Sequence, residues 1–194
     1  ASWNKTVCLM DNKEDILCPE LSDILGDRQA TYHNLYSCFS DYCNAADGRV
    51  HLCGLSLGGI LALNYASDNP QKVASLVLIG APHKVPKAAF ALQNLIFRFL
   101  PECMFDTMAF DKKNTFALGN TMKRLDFSDR VQNVSCPAMI VCGKKDGANL
   151  KSARYFEKNI KGANLKVLED VGHVVNEENP EELANILNAF YGGL

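Results

Sequence analysis

Short apolar runs alternate with amphipathic stretches along most of this chain. Four of the runs predict strands, at residues 49–53, 74–79, 137–142 and 165–168, and the run at 137–142 is of the buried type. Apolar side chains at helical spacing follow the last run, at Leu183, Ile186, Leu187 and Phe190. Because strands that alternate with helices build parallel sheets, the pattern predicts a doubly wound α/β fold.

Three further elements are predicted ahead of residue 49. A short helix begins near Trp3, a strand covers residues 15–18 and a helix covers residues 31–46. The last segment carries leucine and aromatic side chains at near-helical spacing. A length of 194 residues is that of one domain with a sizeable core.

The segment Gly54-Leu55-Ser56-Leu57-Gly58 stands between the strand at 49–53 and a helical pattern over residues 59–66. A strand, Gly-x-Ser-x-Gly and a helix are the context of a nucleophile elbow, a sharp turn that exposes one hydroxyl. Glycines two residues before and two after Ser56 remove Cβ atoms that would clash there. The turn places Ser56 at a helix N-terminus, where the Leu57 N–H is a natural oxyanion donor. An ordinary turn is the alternative interpretation.

A serine hydroxyl needs a base to become a nucleophile, and the chain has four histidines. His173 has the best context, on a loop between the strand at 165–168 and a helix that Asn179 and Pro180 begin. Such loops lie at the carboxyl edge of a parallel sheet, where α/β proteins keep their sites. The other three are placed less favourably, at a helix start (His33), inside a strand (His51) and in a loop (His83). A structural role is the alternative for His173.

An acid should orient the base, and Asp146 is favoured because it follows the strand at 137–142 on a glycine-flanked turn. Its alternative is an ordinary turn aspartate, since Asp-Gly is a common turn pair. Asp170 is a rival on the same loop as His173. Asp126 and Asp129 fall in a stretch that we expect to be helical and solvated.

The order Ser56, Asp146, His173 is the Ser…Asp…His order, and from Ser2 to Tyr191 the chain resembles the α/β-hydrolase family. The segments that carry the resemblance are residues 53–59, 76–80, 136–146 and 171–180. They are similar to those of small bacterial-type esterases, lactonases and C–C bond hydrolases. The resemblance implies that Ser56 is the nucleophile, His173 the general base and Asp146 its orienting acid. It implies neither a metal nor an organic cofactor.

Residues 83–127 interrupt the alternation with a stretch that is apolar on almost every face and too short to span a bilayer. The resemblance implies a helical cap over the serine here, with the hydrolase core in residues 1–82 and 128–194. Apolar side chains of this cap would line an acyl pocket: Met104, Phe105, Met108 and Phe110. A core helix is the alternative, and a membrane-surface role is weaker.

The sequence departs from the family before residue 2. In the family, a strand that ends in a His-Gly pair precedes this point and supplies the second oxyanion N–H, and no such pair is present here. Losing one donor costs about 10²–10³ in turnover. We rank three explanations: a segment present only in the working protein, a natural truncation that rearranges or pairs with another chain, and an inactive relative.

Composition and charge argue against several classes of function. A net charge of −2 without a basic run gives no field to attract nucleic acid. No membrane span or Cys-x-x-Cys zinc pair is visible, and the eight cysteines are read as reduced thiols of a cytoplasmic protein. Cys18, Cys53, Cys136 and Cys142 fall in or beside apolar strands and are expected to be buried.

The predicted function is a serine hydrolase that cleaves a small ester, thioester or lactone with apolar groups. Within enzymes, the alternative is C–C bond hydrolysis or cofactor-free peroxidation on the same three residues. Outside enzymes, the alternatives are a protein that binds a small ligand without turnover and a nonfunctional fragment. The partner is expected to be a small-molecule substrate, and no oligomeric state is predicted.

Overall fold

Four parallel strands form one sheet in the structure, a computed structural model that describes residues 3–85 and 110–194. The strands are β1 (Val50–Leu55), β2 (Val73–Ile79), β3 (Ala138–Gly143) and β4 (Asn164–Leu168), in that spatial order. Each pairs in parallel with the next. The parallel α/β sheet and the four strands that the apolar runs predict are confirmed.

Helices connect and flank these strands. They are α1 (Asn4–Val7), α2 (Leu21–Leu25), α3 (Tyr32–Asn44), α4 (Leu57–Asp68), α5 (Lys112–Met122), α6 (Gly147–Asn159), α7 (Val175–Glu178) and α8 (Pro180–Tyr191). Several begin at a residue whose side chain accepts a backbone N–H three residues later, as Thr31, Asp111, Asp146 and Asn179 do. The helices predicted near Trp3, over 31–46 and after Asn179 are confirmed.

The chain divides into two compact units. The first comprises residues 1–18, 48–83 and 128–194, and the second comprises residues 19–47 and 84–127. The first contains the whole sheet, whereas the second contains α2, α3 and α5. The predicted cap helix, Cys103 and three of the predicted pocket residues (Met104, Phe105 and Met108) lie outside the described residues.

The core of the first unit covers both faces of the sheet. Val77 and Ile79 of β2 pack with Leu183 and Leu187 of α8 on one face. Because side chains alternate along a strand, Leu78 points to the opposite face, and it is fully buried as well. Helix α4 packs against β1 and β2, and α6 packs against β3 and β4. Burial on both faces explains why β2 and β3 read as continuous apolar runs, whereas β1 and β4 keep exposed positions.

The second unit has its own helix contacts. Helices α2 and α3 pack together, and α3 also packs against α5. The backbone N–H at the start of α3, on Tyr32, donates to Thr121 Oγ1 at 2.8 Å. Phe110 is buried just ahead of α5, where its carbonyl accepts from Thr115 Oγ1 at 3.0 Å.

The predicted strand at 15–18 is wrong. Lys13–Asp15 forms a short 3-10 helix, and Ile16 is extended without a ladder partner among the described residues. An extended segment becomes a strand only when another strand satisfies its backbone groups, which local sequence does not reveal. The helical stretch expected at Asp126 and Asp129 is also wrong: α5 ends at Met122, and Asp126 forms an isolated bridge with Lys84.

The cysteines divide between the interior and the surface. Cys136 and Cys142 are buried as predicted, whereas Cys18 and Cys53 are exposed, contrary to expectation. Cys53 shares one face of β1 with the exposed His51, and within the described part of the chain β1 is an edge strand that pairs only with β2. None of the seven cysteines in residues 3–85 and 110–194 forms a disulfide. None of the helices described there is long and apolar enough to cross a membrane.

Candidate active site

Ser56 occupies the turn between β1 and α4. Its backbone has φ 53° and ψ −112°, a left-handed conformation that L-residues other than glycine rarely adopt. The turn is fastened to the next strand, because the Ser56 N–H donates to the carbonyl of Ile79 at 2.9 Å. Leu57 is the first residue of α4, where the helix provides no acceptor for the amide N–H. An anion beside Ser56 would therefore meet an unused donor.

Close backbone approach at this turn involves a different pair of glycines from the one expected. A Cβ on Gly54 would overlap the backbone of Gly58 and lie 2.5 Å from the nitrogen of Gly59. A Cβ on Gly59 would lie 2.7 Å from the Cβ of Ala81, whereas one on Gly58 would meet nothing within 4 Å. The clash argument is thus correct for Gly54 and wrong for Gly58, because the contact depends on which residues of α4 face the strand.

Asp146 and His173 come together from two different loops. Asp146 follows β3 and begins α6, His173 follows β4, and Asp146 Oδ2 lies 2.7 Å from His173 Nδ1. The Asp146 side chain is 6% exposed and that of His173 is 41% exposed. A carboxylate only accepts hydrogen bonds, so Nδ1 is the donor in this pair. In the neutral imidazole the lone pair then lies on Nε2, which is the tautomer that a general base requires.

The ionised form of Asp146 is stabilised where it lies. Burial raises the pKa of the carboxyl, but hydrogen bonds from His173 and Asn149 outweigh this effect and hold the pKa below its ordinary value. Asn149 was not identified from the sequence, although the Asp-x-x-Asn spacing at a helix start is a capping signal that could have drawn attention to it.

The end of β2 lies next to both parts of the site. A Cβ on Gly80 would lie 3.2 Å from His173 Nδ1 and 3.3 Å from Asp146 Oδ2. Ser56 is bonded to Ile79, the preceding residue. Asp146 and His173 are joined by a hydrogen bond. Among the described residues, no hydrogen bond joins the Ser56 side chain to either of them. All three residues adjoin the same carboxyl edge of the sheet, as sequence position predicts.

The rival residues have other partners. Asp170 is almost fully exposed, and its Oδ1 lies 3.2 Å from Lys145 Nζ. His51 Nδ1 lies 2.8 Å from Ser75 Oγ, and His83 Nδ1 lies 2.8 Å from Ser152 Oγ. His33 is exposed on α3 in the second unit.

A glutamate fixes the loop that carries His173. Glu178 accepts the N–H of Gly172 at 2.6 Å and that of Val174 at 3.1 Å, so one carboxylate binds the amides on both sides of the histidine. Sequence reasoning missed this contact, because two acidic residues ahead of Pro180 are equally typical of a helix start.

We expect Gly143→Ala to damage the site. A Cβ there would overlap the carbonyl oxygens of Val171 and Gly172 and lie 2.7 Å from Val171 C, so the loop before His173 must move. Overpacking of this kind costs about 1–3 kcal/mol in the free energy of unfolding. Urea denaturation and the titration of the His173 ring by NMR would measure the two effects. Gly147→Ala is the control, since a Cβ there meets nothing within 4 Å. Unchanged stability and titration in Gly143→Ala would contradict the expectation.

The described residues offer no group of three or more metal-ligating side chains. Phe110 is the one predicted pocket residue that the structure describes, and its pocket role stays a prediction.

Comparison with known proteins agrees with this architecture. A model of the alpha/beta hydrolase family matches residues 13–186. Monoacylglycerol lipase ABHD6 of Mus musculus is 24% identical over 159 residues, which cover 72% of this chain and 47% of the mouse protein. Lipase 3 of Moraxella sp. (strain TA144) is 23% identical over 210 residues, covering 91% of this chain and 65% of that lipase. The chain therefore spans about half the length of the mouse relative and less than two thirds of the Moraxella one.

Solved structures show the same fold. An esterase (EaEST) from Exiguobacterium antarcticum superposes with a TM-score of 0.71 at 19% identity, covering 84% of this chain and 75% of that one. A hydrolase from Pseudomonas aeruginosa PA01 gives a TM-score of 0.70 at 20% identity, with 84% and 72% covered. The family model matches most of the chain and the fold agrees, so this chain belongs to the alpha/beta hydrolase family.

Proposed function

We propose that this protein is a serine hydrolase that cleaves esters, thioesters or lactones with apolar acyl groups. The observation that carries the proposal is the 2.7 Å hydrogen bond between buried Asp146 and His173, at the sheet edge where Ser56 lies on its strained turn. Strained backbone at a non-glycine residue is typical of functional sites, since the surrounding structure must stabilise it.

The roles follow from the chemistry of the three groups. Ser56 Oγ attacks the carbonyl carbon while His173 Nε2 accepts its proton, and Asp146 stabilises the imidazolium that forms. The imidazolium then returns the proton to the leaving group, and a water molecule hydrolyses the acyl-enzyme by the same steps. The Leu57 N–H donates to the developing oxyanion.

Two features support the proposed substrate class. The relatives ABHD6 and Lipase 3 are named lipases, which favours an ester substrate for this chain. The stretch from residue 88 to 110 is rich in leucine, phenylalanine and methionine, the side chains that line pockets for apolar ligands.

Labelling by a fluorophosphonate tests the mechanism without a known substrate. Such a reagent phosphonylates a serine only when a base has activated it, so we expect one adduct on the full chain, located by mass spectrometry on Ser56. Ser56→Ala should take up none. Ser152→Ala is the matched control, because Ser152 also contacts a histidine, His83, and we expect labelling to persist. Folded protein that is not labelled at Ser56 would overturn the proposal.

A further inference from the structure

The side chain of Asn149 contacts both members of the Asp146–His173 pair. Its Nδ2 lies 3.1 Å from Asp146 Oδ1, 2.9 Å from Asp146 Oδ2 and 3.3 Å from His173 Nδ1. Its backbone N–H also points to Oδ1, at 3.3 Å. One residue, on the first turn of α6, therefore reaches both carboxylate oxygens.

The direction of these bonds follows from the donors. An ionised carboxylate only accepts, so the proton on His173 Nδ1 and the amide protons of Asn149 both point to Asp146. The 3.3 Å separation of Nδ1 and Nδ2 is then a contact between two donors that share one acceptor. Asn149 cannot take the place of Asp146 as the acceptor for the imidazole, but it restricts where the carboxylate can turn.

Charged neighbours do not perform this task. Lys144 and Lys145 precede Asp146 directly, but their ammonium groups lie 2.6 Å from Glu169 and 3.2 Å from Asp170. Among the described residues, the hydrogen bonds to Asp146 Oδ1 come from Asn149 alone. The carboxylate is almost completely shielded from solvent, so water competes little for that oxygen.

The same local motif occurs a second time in the chain, without a histidine. Asp111 caps α5, and Asn114 contacts it through its backbone N–H at 2.7 Å and its side-chain amide at 3.3 Å. A helix cap therefore explains why an asparagine stands three residues after an aspartate. It does not explain why, in α6, the second oxygen of the capping carboxylate, Oδ2, accepts both from the Asn149 amide and from His173.

We propose that Asn149 is a positioning residue of the active site, whose amide holds the Asp146 carboxylate aimed at His173 Nδ1. This inference rests on the proposed function. Asn149 gives up no proton and forms no covalent bond; the proton that leaves Ser56 moves to Nε2 and then to the leaving group. The amide keeps Oδ2 in place while the imidazole becomes charged and neutral again in each cycle.

Two variants separate positioning from capping. Asn149→Leu keeps the approximate volume and the backbone N–H but removes the amide donors. Asn149→Asp keeps the shape and places a second carboxylate beside the first, so it remains informative if the leucine variant does not fold. Asn114→Leu is the matched control, since it removes the equivalent amide from the Asp111 cap.

Three readouts are compared across the full chain and its variants: thermal midpoint, the pH profile of fluorophosphonate labelling at Ser56, and the low-field proton NMR signal of the His173 Nδ1–H. We expect Asn149→Leu to slow labelling roughly ten- to hundredfold, the worth of a hydrogen bond to a charged group.

The pH profile gives a second test. The labelling rate of Asn149→Leu should fall more steeply on the acid side of the profile, because Asp146 then takes up a proton more readily. Asn149→Asp should move the acid limb to higher pH, since added negative charge favours the protonated ring. Both should shift or lose the low-field signal, whereas Asn114→Leu should leave labelling and signal unchanged.

The inference fails if Asn149→Leu loses thermal stability as Asn114→Leu does but keeps the labelling profile and the low-field signal of the unaltered protein. Asn149 would then be a helix cap only. If the unaltered protein is not labelled at all, the proposed function fails instead. The NMR signal still decides the positioning role in that case, because it reports the Asp146–His173 bond without any reaction.

Discussion

Replacing Ser56 by alanine should lower the hydrolysis rate of a p-nitrophenyl ester about 10⁶-fold, and replacing it by glycine should lower the rate equally. The glycine variant should, however, be more stable than the alanine variant. The hydroxyl is the attacking group, so either change removes the covalent route. The stability difference has another origin. Alanine at φ 53° keeps the strained turn, whereas glycine adopts positive φ without a Cβ penalty.

Relief of that strain is worth about 1–3 kcal/mol, from which the greater flexibility of glycine in the unfolded chain subtracts about 0.5–1 kcal/mol. Urea denaturation should therefore give Ser56→Gly the higher free energy of unfolding of the two. Ala189→Gly provides the control, because Ala189 is exposed within α8 and glycine there should destabilise by about 1 kcal/mol. A glycine variant less stable than the alanine variant would show that the turn stores no strain.

The second large effect is expected for Asp146→Asn, which should lower the same rate about 10⁴-fold with little change in shape. An amide can accept from His173 Nδ1 only if its own NH₂ group then faces Asn149, so the pair loses either the imidazole tautomer or the Asn149 bond. Asp111→Asn is the matched control at an equivalent helix cap, and it should leave the rate unchanged. A loss of less than tenfold in Asp146→Asn would mean that this carboxylate does not orient the base.

The same substitution has a predictable dependence on pH. The pKa of Asp146 is held below its ordinary value, so its carboxylate stabilises the folded state fully above the unfolded pKa of about 3.9. That contribution is lost as the pH falls through the lower, folded-state pKa. The free energy of unfolding should therefore be higher for the unaltered protein than for Asp146→Asn. The difference should be largest at pH 7 and should shrink toward pH 2. Denaturation curves at both pH values measure it.

Sequence periodicity was most informative for β2 and β3 because these two strands are buried on both faces, whereas β1 and β4 keep exposed positions. Residues 74–79 and 137–142 are apolar almost without interruption. The strand predicted at 15–18 failed for the opposite reason. Its apolar residues satisfy the local pattern, but strand formation depends on a ladder partner that is distant in sequence.

The loops that carry the site could be located in advance because a parallel sheet gathers its carboxyl ends at one edge. Ser56, Asp146 and His173 each follow a predicted strand, and this placement needed no knowledge of contacts. Asn149 and Glu178 could not be found in the same way. Their roles depend on which atoms of a neighbouring loop they reach, and both also satisfy ordinary rules for the start of a helix.

The attachment of the His173 loop through Glu178 distinguishes two properties, the folding of the sheet and the position of the imidazole. The amides that flank the histidine are bound to a single exposed carboxylate, outside any strand ladder or long helix. Loss of the Glu178 carboxylate would remove the acceptor of both amides without breaking a bond between the strands β1 to β4. Assays of foldedness would then report an intact sheet and give no information on where the imidazole lies.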